Sequence, residues 1–285
     1  MTNYLFLTII VIAATVQSVF KKSFNEKVSG ATSTFSAAST LFALFFFIAT
    51  LTEKFVLSKE YMIYSFVFAI SFSVAAIFLY LALAIGPISL TSLITSFSLL
   101  LPTIYGLIYR DEEVSLLLII GLVLLIISLI LINLEKKSEE KNNSLKWFVY
   151  VFIAFISNGS CSIIQNLQQI KCDGKFKNDF MIVALIICTV VMFIFSLIFE
   201  RKKVLKALKS GFVYYSLCGV ANGLVNYLVI VLSLRMAASI MFPIISAGGI
   251  ILTFFISIFL YKEKLSINQI IGIFLGTFAV VFLSV

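Results

Sequence analysis

Charge is absent from nine long stretches of this 285-residue chain, and that constrains its fold more than any motif does. The stretches are residues 1–20, 28–52, 61–109, 114–134, 147–170, 180–199, 210–234, 236–261 and 265–285. A helix needs about 20 apolar residues to cross the hydrocarbon core, where every backbone N–H and C=O must be satisfied within the segment. The run 61–109 is too long for one crossing. Gly86-Pro87 divides it, since proline lacks the N–H a helix needs and restricts the residue before it. The predicted fold class is therefore an all-α integral membrane protein with ten transmembrane helices. Composition agrees: charged residues make up 12% of the chain, against about 25% in soluble domains. The first run has no basic residue before it and no small-x-small cleavage site, so it reads as a membrane helix rather than a signal peptide.

The chain also repeats itself. Glu112-Glu113-Val114-Ser115 leads to Ile119-Ile120-Gly121 at the spacing by which Glu263-Lys264-Leu265-Ser266 leads to Ile270-Ile271-Gly272. Tyr80-Leu81 and Tyr227-Leu228 precede the two copies by similar distances. The one strongly polar linker, residues 135–146, separates residues 1–134 from residues 147–285, five predicted helices on each side. Because five is odd, the halves are expected to lie in the membrane with opposite orientation, as inverted repeats.

Tyr-Leu before a short turn, an apolar helix holding Pro243, then Lys262-Glu263-Lys264-Leu265-Ser266 and an Ile-Gly helix resemble the EamA type of the drug/metabolite transporter superfamily. The resemblance spans essentially the whole chain and implies a ten-helix metabolite transporter in the cell membrane. One departure is visible. Pro102 stands much nearer its acidic turn than Pro243 does to Glu263, so the fourth helix is expected to kink elsewhere than its counterpart.

Polar residues inside such helices must face protein or a cavity. Predicted helices five, seven and ten carry few, which marks them as scaffold. The other seven carry Gln17, Ser36, Ser39, Thr40, Tyr80, Ser92, Thr95, Ser96, Asn158, Ser162, Gln165, Asn222, Asn226 and Tyr227, and a polar chamber ringed by these helices follows. The candidate substrate-binding residues are Gln17, Ser36, Tyr80, Ser92, Asn158, Ser162, Gln165, Asn222, Asn226 and Tyr227. Asn222 and Asn226, four apart, share a helix face. Interhelical hydrogen bonding competes as an explanation, and for a single serine or threonine it is preferred. For Asn158, Asn222 and Asn226 both readings stand. Gly219-x-x-x-Gly223 and Gly272-x-x-x-Gly276 suit close helix packing within one chain. Glu112 and Glu263 each lie just before a helix and are read as structural, offsetting its dipole. Ser266 with Gln269 fits a capping box.

Absences narrow the function. The chain has no histidine, and all 13 Asp and Glu residues lie in or beside the gaps between runs. That removes the usual proton relays, argues against a cationic drug as substrate, and leaves an intramembrane enzyme without its groups. No cofactor, metal or catalytic residue is expected. The four cysteines lack metal-ligand spacing and read as packing residues. The formal charge of +8 does not indicate nucleic acid, since the basic residues lie between apolar runs as membrane anchors. The expected partners are the lipid bilayer and a small-molecule substrate, with monomer and homodimer both open. The leading reading is alternating-access transport of a small polar metabolite, neutral or zwitterionic, such as an amino acid. The alternative solute is a small anion or phosphorylated metabolite caught by Lys21 and Arg235 at helix ends, with Arg235 the more notable as the sole charge between 210 and 261. A non-transporting scaffold or receptor is the alternative of another class. For orientation, loop charge favours external termini, with 14 of 21 basic residues on the opposite side, whereas the family resemblance implies cytoplasmic termini and is preferred.

Overall fold

The computed structural model describes residues 2–85, 91, 94–110, 112–134, 145–261 and 266–284. Among these the chain is helical throughout, with no strand. The helices are α1 (Thr2–Lys27), α2 (Thr32–Ala49), α3 (Lys59–Ile85), α4 (Leu100–Tyr109), α5 (Leu116–Leu134), α6 (Leu145–Lys171), α7 (Lys177–Phe199), α8 (Val204–Leu232), α9 (Ala238–Tyr261) and α10 (Ile267–Ser284). Six of them, α1, α2, α3, α6, α7 and α8, are long and apolar enough to cross a membrane. Large apolar side chains are exposed in helical stripes, such as Ile119, Val123, Ile126 and Ile130 on α5 and Ile270, Phe274, Phe278 and Val281 on α10. Water would penalise such stripes and lipid does not, so this is a multi-pass membrane protein.

Two helices extend six or seven residues past the charge-free runs. α1 continues past residue 20 to Lys27, and α8 begins at Val204 rather than 210. Charge therefore does not end these helices: Lys21, Lys22, Lys206 and Lys209 are all helical. The Gly86-Pro87 break and most of the polar linker lie outside the described residues. Pro102 is the third residue of α4, within its first turn, and α4 is entered through a 3-10 turn at Phe97–Leu99. The Ser98 carbonyl, which cannot accept from Pro102, accepts a backbone N–H at the cap of the 3-10 turn instead, and α6 comes so close to it that a Cβ on Gly159 would lie 2.6 Å from that oxygen.

α2 packs between α7 and α8, α3 between α6 and α7, and α1 between α8 and α9; α4 lies on α6 and α9, while α5 and α10 pair with each other. The largest apolar cluster joins α2, α3, α6 and α7 through Phe47, Tyr61, Phe68, Phe180, Met181 and Leu185. A second joins α1, α8 and α9 through Leu7, Ile10, Leu232, Met241 and Phe242. Gly219 and Gly223 lie against α2, where a Cβ on Gly219 would stand 2.3 Å from the Ser39 carbonyl oxygen. This glycine pair serves packing within the chain. Gly272 does likewise against α5, its carbonyl accepting from Ser128 Oγ at 2.6 Å.

Helix starts are satisfied in two ways. Ser266 and Gln269 form the expected capping box, with backbone N–H to side-chain bonds of 3.1 and 3.2 Å. Ser115 Oγ accepts from Leu118 N at 3.0 Å and so caps α5 itself. Glu112 instead reaches α9, its two carboxylate oxygens accepting from Ala238 N and Ser239 N at 2.8 Å each. It serves a helix dipole as expected, but that of a helix 126 residues away. Arg110 pairs with it at 3.1 Å and donates to Asn166 Oδ1 at 3.4 Å. Gly106 leaves room for this clamp, since a Cβ there would meet Glu112 Oε2 at 2.5 Å. Glu200 clamps α2 in the same fashion, accepting from Ser33 N, Thr34 N and Thr34 Oγ1, all at 2.8 Å.

Candidate functional site, an amide-lined cavity

Short connections at 28–31, 50–58, 172–176, 200–203 and 233–237 fix which helix ends lie together. One end of the bundle gathers Thr2, Ala49, Lys177, Leu232 and Ala238; the other gathers Lys27, Thr32, Ile85, Phe199 and Val204. Between them lies a cavity of about 440 Å³ lined by Gln17, Lys21, Ser36, Ser39, Thr40, Asn158, Ser162, Gln165, Asn222 and Asn226, with Phe35, Phe68, Phe72 and Phe242 among its apolar walls. A second space of about 330 Å³ shares Lys21, Ser36, Phe72 and Asn158 with the first and reaches Thr32, Tyr80, Leu83, Thr95 and Ser96. These lie toward the Lys27 end. At the opposite end, Leu7, Ile10, Leu228, Leu232 and Met241 pack as a buried plug. Both volumes fall in the range of small-molecule sites.

Six of the seven helices expected to ring a chamber, α1, α2, α3, α6, α8 and α9, line these two spaces, the fourth contributes only Thr95, Ser96 and Leu99 from the segment leading into α4, and among the described residues none of α5, α7 or α10 does. Four of the predicted residues form one hydrogen-bonded chain. Gln165 Nε2 donates to Asn226 Oδ1 at 2.6 Å, Asn226 Nδ2 to Asn222 Oδ1 at 3.1 Å, and Asn222 Nδ2 to Gln17 Oε1 at 3.1 Å. The chain ties α6 to α8 and α8 to α1 across the cavity. Helical spacing makes it possible: Asn222 and Asn226 stand one turn apart, and Asn226 Nδ2 also donates to the Asn222 carbonyl at 2.8 Å. What remains unused is directional. Among the described residues, Gln17 keeps its N–H donors and Gln165 its Oε1 acceptor. Asn158 spends its donor on Ser98 Oγ at 2.6 Å. The hydroxyls of Ser36, Ser39 and Thr40 return to carbonyls of α2 itself, as preferred for lone hydroxyls.

Lys21 changes the electrostatics of the site. It stands one turn beyond Gln17 on α1, with its side chain open to both spaces. Among the described residues it has no ion pair or hydrogen bond, and no Asp or Glu lines either space. Six residues from the Lys27 end of α1, this lysine opens onto a cavity and so keeps its charge out of lipid. Arg235, ranked above Lys21 from the sequence, lies exposed on the α8–α9 turn, where its carbonyl accepts from Asn3 Nδ2 at 3.3 Å. The charge-free-run criterion had ended the first helix at residue 20 and so placed Lys21 in a gap. Its distance of four residues from Gln17 was the signal that joined it to the site.

Tyr80 lines the second space, with its ring edge-on to Phe195 at 6.0 Å between centroids. Tyr227 lines neither space. It packs on Phe46 and Phe47, and Lys177 Nζ lies 4.9 Å from its ring centre. Ser92 lies outside the described residues. The cavity phenylalanines had no distinguishing signal in a chain with 30 of them. Cys161 and Cys218, both free thiols, also line the larger space.

Residues 145–285 match the EamA-like transporter family. A solved structure titled only "Crystal structure of protein" superposes with a TM-score of 0.83, covering 100% of this chain and 99% of that one at 11% sequence identity. At that identity the likeness concerns the fold. No curated protein matches the chain in sequence.

Proposed function

This chain is an EamA-type protein of the drug/metabolite transporter superfamily, a membrane transporter of small molecules, and on that premise we propose that it carries a small polar metabolite through the amide-lined cavity by alternating access. The observation that carries the reading is the hydrogen-bonded chain from Gln165 through Asn226 and Asn222 to Gln17. Its members come from both halves of the sequence and face the space a solute would occupy. Interhelical glue alone gains little, about 0.6 kcal/mol for an average bond, and four amides beside open space can also exchange partners with a solute.

Two inverted five-helix units, residues 1–134 and 147–285, would provide the motion. Helix packing supports this reading. Exchanging α1–α5 with α6–α10 maps α2 on α8 onto α7 on α3, α1 on α8 onto α6 on α3, and α1 on α9 onto α6 on α4; α2 with α7, α4 with α9 and α5 with α10 map onto themselves. Such a pair of units can trade conformations, closing the Lys27 end while the plugged end opens. The cell membrane is the proposed location. A wholly uncharged solute suits the amides but leaves Lys21 without a role, so a solute bearing an acidic group, zwitterion or anion, fits better than a neutral one. The test is flux in proteoliposomes from a labelled metabolite panel that includes amino acids and small organic acids. Asn222→Ala with Asn226→Ala should lower flux at least about tenfold, a barrier increase of about 1.4 kcal/mol, while the protein stays inserted and monodisperse. Normal flux in the double variant would remove the amide chain from the path.

A further inference from the structure

We propose that the solute is a singly charged organic carboxylate with an apolar body, its carboxylate held by Lys21 and Gln17 and its body lying in the space lined by Phe72, Leu79, Tyr80 and Leu83. This deepens the transporter reading and rests on it. The charge assignment follows from what the cavity contains. Among the described residues Lys21 opens onto both spaces without an acidic neighbour, so their lining carries an unbalanced positive charge. Gln17, one turn away on the same face of α1, has its Oε1 occupied by Asn222 Nδ2 at 3.1 Å. What it can offer a solute beside Lys21 is therefore N–H, which suits a carboxylate.

The same inventory discriminates among acids. An α-amino acid anchored by its carboxylate would bring its ammonium group, one carbon away, beside Lys21, and among the described residues no carboxylate lines either space to receive it. A phosphate monoester would bring nearly two negative charges to a lining that, among the described residues, offers one lysine and no arginine fork. A monocarboxylate leaves neither charge unbalanced. Beyond Lys21 and Asn158 the second space carries four hydroxyl residues, Thr32, Ser36, Thr95 and Ser96, and its remaining described walls are phenylalanine, leucine, alanine and tyrosine, which give an alkyl or aryl body an apolar surface to lie on.

The experiment follows thermal unfolding of the purified full chain in detergent against a matched set: isocaproate, its uncharged amide, leucine (the same skeleton with an α-ammonium group) and isopentyl phosphate. Isocaproate should stabilise the wild type most. In Lys21→Gln its apparent affinity should fall roughly thirtyfold or more, as expected when one partner of a desolvated charge pair is removed, and Lys21→Arg should restore part of it. The proposal is overturned if leucine, the amide or the phosphate stabilises as well as isocaproate, if isocaproate has no effect, or if Lys21→Gln responds like the wild type. Should Lys21→Gln fail to fold, the wild-type ranking alone decides. Loss of flux in the Asn222 and Asn226 double variant with a failed ranking would retain the transporter reading and reject this one.

Discussion

At the scale of single residues, position relative to the cavity matters more than residue type. Lys21 and Arg235 are both cations near helix ends, yet one opens onto the cavity and the other onto the α8–α9 turn. Arg235→Gln should therefore leave flux within about twofold of wild type, a barrier change near 0.4 kcal/mol, in the proteoliposome assay. A tenfold loss would return Arg235 to the solute path. The amides were legible in the sequence because a polar side chain in hydrocarbon must find a partner, and spacings of three and four put those partners on one face. Tyr227 was less legible. Its echo of Tyr80 indicates a related place in the repeat, but neighbours decide what a ring faces: Phe195 and cavity for Tyr80, Phe46, Phe47 and Lys177 for Tyr227.

At the scale of elements, the two carboxylate clamps join parts of the chain that no local pattern connects. Glu112 holds the start of α9 and Glu200 the start of α2, each neutralising N–H groups that a helix start leaves unpaired. The apolar runs and the Ser266 capping box could be read locally. The target of Glu112 could not, since carboxylate and helix are 126 residues apart and only the folded bundle brings them together. Hydrogen bonds to a charged group contribute about 1.5–3 kcal/mol each, and Arg110 would also lose its carboxylate partner. Glu112→Ala should thus lower thermal stability in detergent by several degrees. Glu112→Gln, which keeps an acceptor, should lower it less. Because this clamp lies at the plugged end, the alanine variant should also expose that end more readily to thiol reagents after cysteine substitution at Ala238. Unchanged stability and unchanged labelling would mean that the clamp does not hold the end closed.

At the scale of the whole molecule, the described residues place Lys21 and a hydrogen-bonded row of amides on a cavity inside a bundle whose lipid-facing stripes are apolar. With no histidine in the chain and, among the described residues, no carboxylate lining the cavity, proton coupling has no usual carrier there. Collapse of a proton gradient at clamped membrane potential should accordingly leave flux unchanged in proteoliposomes, and a large drop would assign proton carriage to another group, Lys21 first. The central claim is that one cavity serves both sides of the membrane in turn. Ser36 lines both spaces, so Ser36→Cys in a background with Cys161, Cys172, Cys188 and Cys218 replaced by serine reports on access directly. Membrane-impermeant thiol reagents, applied from each side of oriented proteoliposomes, should label this cysteine from both sides, and a transported solute should slow the labelling. Labelling from one side only, whatever solute is present, would contradict alternating access.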